Sequence, residues 1–121
     1  MRYVATALLV FASSMAAIGQ AQAGWTEVTG KVLMVTSYDH TSTVLVTLEN
    51  QPTGPLPTGC RIDAFAIDGA LSADRRQQML SMLLSAQMAN RNVDVSWDNA
   101  GNCVAYSTGN NFVRLVRIRT R

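Results

Sequence analysis

At 121 residues the chain has room for one domain, and ten Lys and Arg against eight Asp and Glu leave a formal charge of only +2. That surplus is too small to argue for nucleic acid, which asks for a concentrated basic face. Cys60, Cys103 and the single His40 fall one ligand short of a closed four-coordinate zinc site unless a carboxylate joins. No metal and no other cofactor is expected.

The first 23 residues read as a cleavable signal peptide. Arg2 and the amino terminus make a short positive region. Val4 to Ile18 is largely apolar around Leu8, Leu9, Val10 and Phe11, and Ala21-Gln22-Ala23 supplies the small-x-small pattern of a cleavage site. The apolar run is about 15 residues, broken by Ser13 and Ser14, whereas spanning a bilayer takes roughly 20. No cysteine lies near the cleavage point to accept a lipid. Export to a periplasm or to the outside follows, with membrane contact only through the signal before cleavage. The mature domain would then be residues 24–121, and losing Arg2 lowers its charge to +1.

Taken in chain order, Thr26 to Tyr38 is β-branched and apolar around Val28, Val32, Leu33, Met34 and Val35, which predicts a strand. The polar turn Asp39-His40-Thr41-Ser42 leads into Thr43 to Leu48, where Val44, Val46 and Leu48 share one face and Thr43 and Thr47 the other. Gln51 to Gly59 holds all three prolines and two glycines and is a loop; Cys60 to Ile67 is a third apolar run. At Ser72 the period becomes helical. Ser72 and Asp74 suit a cap and first turn, Leu80, Leu83, Leu84, Gln87 and Met88 recur at helical spacing, and Met79, Met82 and Ala86 widen that stripe into core packing. Asn90 and Asn92 suit the helix exit.

Alternation then returns. Val93, Val95 and Trp97 point one way and Asp94, Ser96 and Asp98 the other, with Asn99-Ala100-Gly101-Asn102 as a turn. Cys103 to Tyr106 reads as a short ladder piece, Ser107 to Asn110 as a turn, and Phe112 to Ile118 as the last strand. The cysteines lie 43 positions apart, and an even count in an exported domain predicts a disulfide. The fold class is mainly β with one helix. The order β-β-β-α-β-β is that of an OB-fold, a five-stranded barrel; the alternative is an open antiparallel sheet with one packed helix.

Enzyme motifs fail on inspection. Gly24 to Lys31 resembles a phosphate loop only in ending Gly-Lys, its spacing is one residue too long, and Val32 stands where a Ser or Thr would meet magnesium. His40 lies in a short turn, a poor seat for a rigid base. The acid pairs Asp63 with Asp68 and Asp94 with Asp98 read as solvent-facing positions and turn entries. What remains suits recognition: Trp25, Tyr38, Trp97 and Tyr106 offer flat apolar faces with a polar edge. Trp97 belongs on the apolar side of its strand, and Trp25 suits a tether for the new amino terminus. Tyr38, Asp39 and His40 lie in the first hairpin loop, one of the loops through which OB-folds bind ligands. Arg117, Arg119 and Arg121 alternate onto one face, a basic stripe that fits an acidic partner or phosphate, or that keeps an edge strand soluble.

The opening Gly24-Trp25-Thr26, the segment Thr29-Gly30-Lys31-Val32, Cys60 at the third strand and Val93 to Trp97 after the helix resemble the B subunits of subtilase-type and typhoid-type AB5 toxins. The resemblance implies an OB-fold, a ring of like subunits and glycan binding, with Thr29 at the position of the hydroxyl that contacts the sugar. The family's second cysteine, in strand two, has no counterpart here. The expected function is therefore a non-catalytic, exported binding module for a glycan or a protein partner, with a homo-oligomer in view. The competing class is a structural or assembly protein of the cell envelope acting through protein contacts. Exposed aromatics beside polar loop residues would favour the first, and an exposed apolar strip the second.

Overall fold

The computed structural model describes residues 24–107 and 110–121. The signal segment read from residues 1–23 and the centre of the turn expected after Ser107 lie outside the described residues. The chain runs β1 (Trp25–Ser37), β2 (Val44–Leu48), β3 (Arg61–Ile67), α1 (Ala73–Met88), β4 (Asn92–Asp98), β5 (Cys103–Ser107), β6 (Asn110–Arg114) and β7 (Arg117–Thr120).

All seven strands join one mixed sheet in the order β5-β6-β3-β2-β1-β4-β7. The 13-residue β1 is its spine. The first half pairs antiparallel with β4, from Trp25 opposite Asp98 to Lys31 opposite Asn92. The second half pairs with β2, from Val32 opposite Leu48 to Ser37 opposite Val44, with a register shift between Val32 and Met34. β3 continues antiparallel from β2, but β6 lies parallel to β3.

The five-stranded barrel and the purely antiparallel sheet are both corrected by this arrangement. The ladder is not closed into a barrel, because the last apolar run is interrupted. Leu115 N–H donates to Ala66 O on β3 (2.9 Å), whereas Val116 N–H donates to Ser96 O on β4 (3.0 Å). Two successive amides thus serve two different strands, which divides the run into β6 and β7. Cys103–Ser107 is a full edge strand, β5, rather than a fragment of ladder.

The core lies on the inner face of this curled sheet, under α1, which packs on β1, β4 and β7. Val46, Phe65, Ile67, Val93, Val95 and Trp97 are fully buried there, as the alternation of β2 and β4 requires. The Trp97 ring lies 5.7 Å from Phe65, and its indole N–H donates to Pro55 O at 2.8 Å. That bond satisfies the one polar atom of the largest core side chain and pins the proline loop beneath it.

Ser72 caps α1 as expected, its hydroxyl accepting from Arg75 N–H at 3.3 Å. The exit is a Schellman turn. Asn90 is left-handed (φ 52°), Arg91 N–H donates to Ala86 O at 2.9 Å and Asn90 N–H to Gln87 O at 3.2 Å. The helix face differs from the simplest reading of its periodicity. Leu83 and Ala86 are buried, with Met79 and Met82 packed beside them, while Leu84 and Met88 face solvent. Gln87 instead donates from Nε2 to Leu33 O (3.2 Å), tying the last turn to β1.

Candidate functional site: an aromatic groove on the outer sheet face

Side chains that do not enter the core line the outer face, and β1 divides them between two regions. Toward β4 and β7 the outward residues are charged. Glu27 Oε2 accepts from Arg117 (3.0 Å) and Arg119 (2.9 Å), and Ser96 hydroxyl lies between Glu27 and Arg117. Asp94 is 3% exposed and accepts from Thr29 hydroxyl (2.6 Å) and from Arg121 Nε at 2.9 and 3.0 Å. The Thr29 hydrogen bond and the Arg121 and Arg119 charges outweigh burial and hold the Asp94 carboxyl below the usual carboxylate range. Trp25 is exposed, with the Arg117 guanidinium 5.0 Å from its ring centre.

Register explains this assembly. Thr29 lies opposite Asp94 across β1 and β4, and Asp94 opposite Arg119 across β4 and β7. All three arginines of the stripe read from the sequence are therefore paired with Glu27 or Asp94, which leaves one positive charge in excess. The stripe runs along edge strand β7 and ends just past it at Arg121, and Thr29 spends its hydroxyl on Asp94 within the same cluster.

The other region lies across the second half of β1 and strands β2, β3, β6 and β5. A small apolar layer forms its floor, with Ala64, Ala66, Val104 and Phe112 buried and Leu45 and Tyr106 partly so. The short side chain of Ala64 leaves a hollow between taller neighbours, a groove of about 400 Å³. Its aromatic wall is continuous. Tyr38 lies 4.9 Å from Tyr106, which stands edge-on to Phe112 at 6.1 Å, and His40 lies 5.7 Å from both tyrosines. Burial, together with a hydrogen bond and charge from Tyr38 and the charge of Asp39, raises the Tyr106 phenol above its ordinary value, so it remains a neutral hydroxyl.

An ion pair on β3 lies over the Phe112 end of that wall. Arg61 donates from Nε to Asp63 Oδ1 (3.1 Å), from Nη2 to Asp63 Oδ2 (2.5 Å) and from Nη1 to Asn110 Oδ1 (2.8 Å). Its guanidinium lies 5.1 Å from the Phe112 ring centre. Thr36 and Thr47 add hydroxyls from β1 and β2.

Two devices set the groove walls. The Cys60–Cys103 disulfide, with a Cα–Cα distance of 5.4 Å, ties the start of β5 to the start of β3 and so holds Tyr106 in line. Gly69 fixes the first hairpin loop. A Cβ there would lie 2.9 Å from the backbone of Ser42 and Thr43, and Gly69 N–H donates to Thr43 hydroxyl at 3.3 Å.

Comparison with protein-family models, with curated proteins and with solved structures yields no match. The site's chemistry must therefore be read from its own residues. Among the described residues, no group of three or more His, Cys, Asp or Glu is placed to hold a metal ion, and no helix is long and apolar enough to cross a membrane. The paired acids do not meet as pairs. Asp63 serves Arg61, Asp68 lies 3.6 Å from Arg114, Asp94 serves Thr29 and Arg121, and Asp98 accepts from Ala100 N–H in its turn.

Of the binding residues expected from sequence, Tyr38 and His40 are brought together at the groove. Asp39 is fully exposed on its rim, 3.6 Å from His40 Nδ1. Thr29 belongs to the charged region, about nine residues back along the chain. Sequence reasoning missed Arg61 and Phe112 altogether, and missed that Tyr106 faces Tyr38. The available signal was the outward set in each strand: Thr36 and Tyr38, Leu45 and Thr47, Arg61 and Asp63. It gains meaning only once the strand order is known. A larger hollow of about 620 Å³ is lined by Asp74, Gln77, Gln78, Ser81 and Met82. All of these lie on α1, so no opposing wall exists and no aromatic lines it.

Proposed function

We propose that the mature chain is an exported, non-catalytic module that binds a glycan in the groove between the Tyr38–Tyr106 wall and the Arg61–Asp63 pair. The observation that carries this reading is the combination of stacked aromatic faces with hydrogen-bonding groups across one concave surface. A sugar ring has apolar C–H faces and a polar rim, and needs both. The disulfide supports export, since such bridges persist in oxidising compartments. The element order, the parallel β3–β6 pair and the divergent amides of Leu115 and Val116 support an OB-like winding whose ladder stays open.

Titration of the mature, oxidised protein against an oligosaccharide panel tests the reading. Saturable binding is expected, weakened about tenfold by Tyr106→Ala, the loss of roughly one aromatic contact and its buried area. Thr29→Ala separates this site from the one implied by the toxin-subunit resemblance. If Thr29→Ala removes binding and Tyr106→Ala does not, the groove is the wrong place.

A second reading, an envelope assembly protein that contacts its own copies or another protein, is favoured by exposed apolar side chains. Leu33, Met34, Leu84 and Met88 all face solvent, Met88 at 89%. A native mass several times that of the protomer, lost on changing Leu33 and Met88 to polar residues, would support it.

A further inference from the structure

We infer that the sugar this groove accepts is uncharged, so that acidic glycans, those carrying sialic or uronic acids, are excluded from it. The inference rests on the proposed glycan function and deepens it.

A guanidinium is the side chain best matched to a sugar carboxylate, because its fork of N–H groups meets both oxygens in parallel. Among the described side chains that line the groove, Arg61 supplies the only formal positive charge. Its fork is already filled by Asp63, through Nε at 3.1 Å and Nη2 at 2.5 Å, while Nη1 donates to Asn110. Phe112 supports the guanidinium plane from beneath at 5.1 Å, so swinging away would forfeit four contacts at once. An incoming carboxylate would have to displace Asp63 from the Nε edge, or else take the remaining Nη N–H groups directly beside it, a like-charge contact that is unfavourable in a partly desolvated groove.

The surroundings do not restore a positive field. Arg61 and Asp63 cancel, and Asp39 adds a negative charge at the rim. Asp39 also lies 3.6 Å from His40 Nδ1. The compensated pair is instead well suited to hydroxyls. Arg61 retains N–H donors, Asp63 retains acceptor lone pairs, and an alcohol both donates and accepts. Thr36 and Thr47 extend the same chemistry along the groove. A neutral pyranose can therefore lay its C–H face on Tyr38 and Tyr106 and span the ion pair with neighbouring hydroxyls, without uncovering a charge.

The test is a paired titration of the mature, oxidised protein: neutral disaccharides such as lactose, maltose, cellobiose and mannobiose against 3′-sialyllactose and a uronic-acid disaccharide, at low and high salt. At least one neutral sugar is expected to bind at least about tenfold tighter than any acidic one, with little change on adding salt. Asp63→Asn uncovers the fork, and is expected to strengthen sialyllactose binding relative to the neutral sugar. A wild-type preference for the acidic member would overturn the assignment while leaving glycan binding in place. Silence toward both classes would remove the glycan reading itself. The wild-type comparison does not depend on any variant folding, and a thermal melt of Asp63→Asn checks that it does.

Discussion

The two outer-face regions use the same kinds of residue to different ends. Each has an arginine lying near an aromatic ring, Arg117 at Trp25 and Arg61 at Phe112, and each pairs that chemistry with a carboxylate. In the charged region the carboxylates are saturated. Asp94 is almost wholly buried and engaged by Thr29 and Arg121, and Glu27 is shared by two arginines. In the groove, Asp63 is 50% exposed and keeps free lone pairs, and the aromatics gather around a hollow instead of covering one. What separates a structural seam from the proposed recognition surface is the degree of burial and saturation, not composition.

The disulfide offers the strongest way to break this contrast, because the strands it joins, β3 and β5, both belong to the groove side. Reduction, or Cys60→Ser with Cys103→Ser, is expected to cost about 4 kcal/mol by the loop-entropy argument for a 43-residue separation. Release of β5 would displace Tyr106 and weaken sugar binding as well. Thermal unfolding with and without reductant measures the first effect and titration the second; a reduced protein that binds unchanged would mean β5 needs no staple.

Asp94→Ala and Asp63→Ala sharpen the contrast within one residue type. Removing Asp94 leaves the Thr29 hydroxyl and Arg121 without their partner, a loss of about 2–3 kcal/mol in denaturant unfolding, with sugar binding intact. Removing the half-exposed Asp63 should cost under about 1 kcal/mol while changing sugar binding. Equal stability losses would erase the distinction between seam and surface.

Acid titration should produce a smaller effect, because protonating Asp94 leaves some of its hydrogen bonds possible. Its folded pKa is depressed, so its contribution is fully present above the unfolded value of about 3.8 and is lost as pH falls through the lower folded one. Stability should therefore decline below about pH 4, and Asp94→Asn should flatten that decline. Melting temperatures measured from pH 2 to 6 decide it; a parallel fall in the variant would assign the acid sensitivity to other carboxylates.

Local signals made much of this fold legible. The strand runs, the Ser72 cap, the Asn90 exit, the burial of Trp97 and the Cys60–Cys103 bridge all depend on near neighbours or on a count of two, which a sequence displays directly. The site was half legible. Tyr38, Asp39 and His40 could be singled out as polar and aromatic residues in one loop, but nothing local says that Tyr106 will stand 4.9 Å from Tyr38. The arginine stripe was visible as alternation, whereas Glu27 and Asp94, which pair with it, lie on other strands.

By itself, then, the sequence determined the helix, the runs that become β1 to β4, which side of β2 and β4 carries the apolar residues, and that two thiols would pair. Those properties follow from backbone periodicity and the covalent order of the chain. Only the tertiary structure decided that β6 lies parallel to β3, that the last run splits at Leu115 and Val116, and that the arginine stripe is seam while Arg61 borders a groove. These outcomes depend on register between distant strands. A pairing shift of one residue would turn every outward side chain inward, and that choice is made by the packing of the whole core.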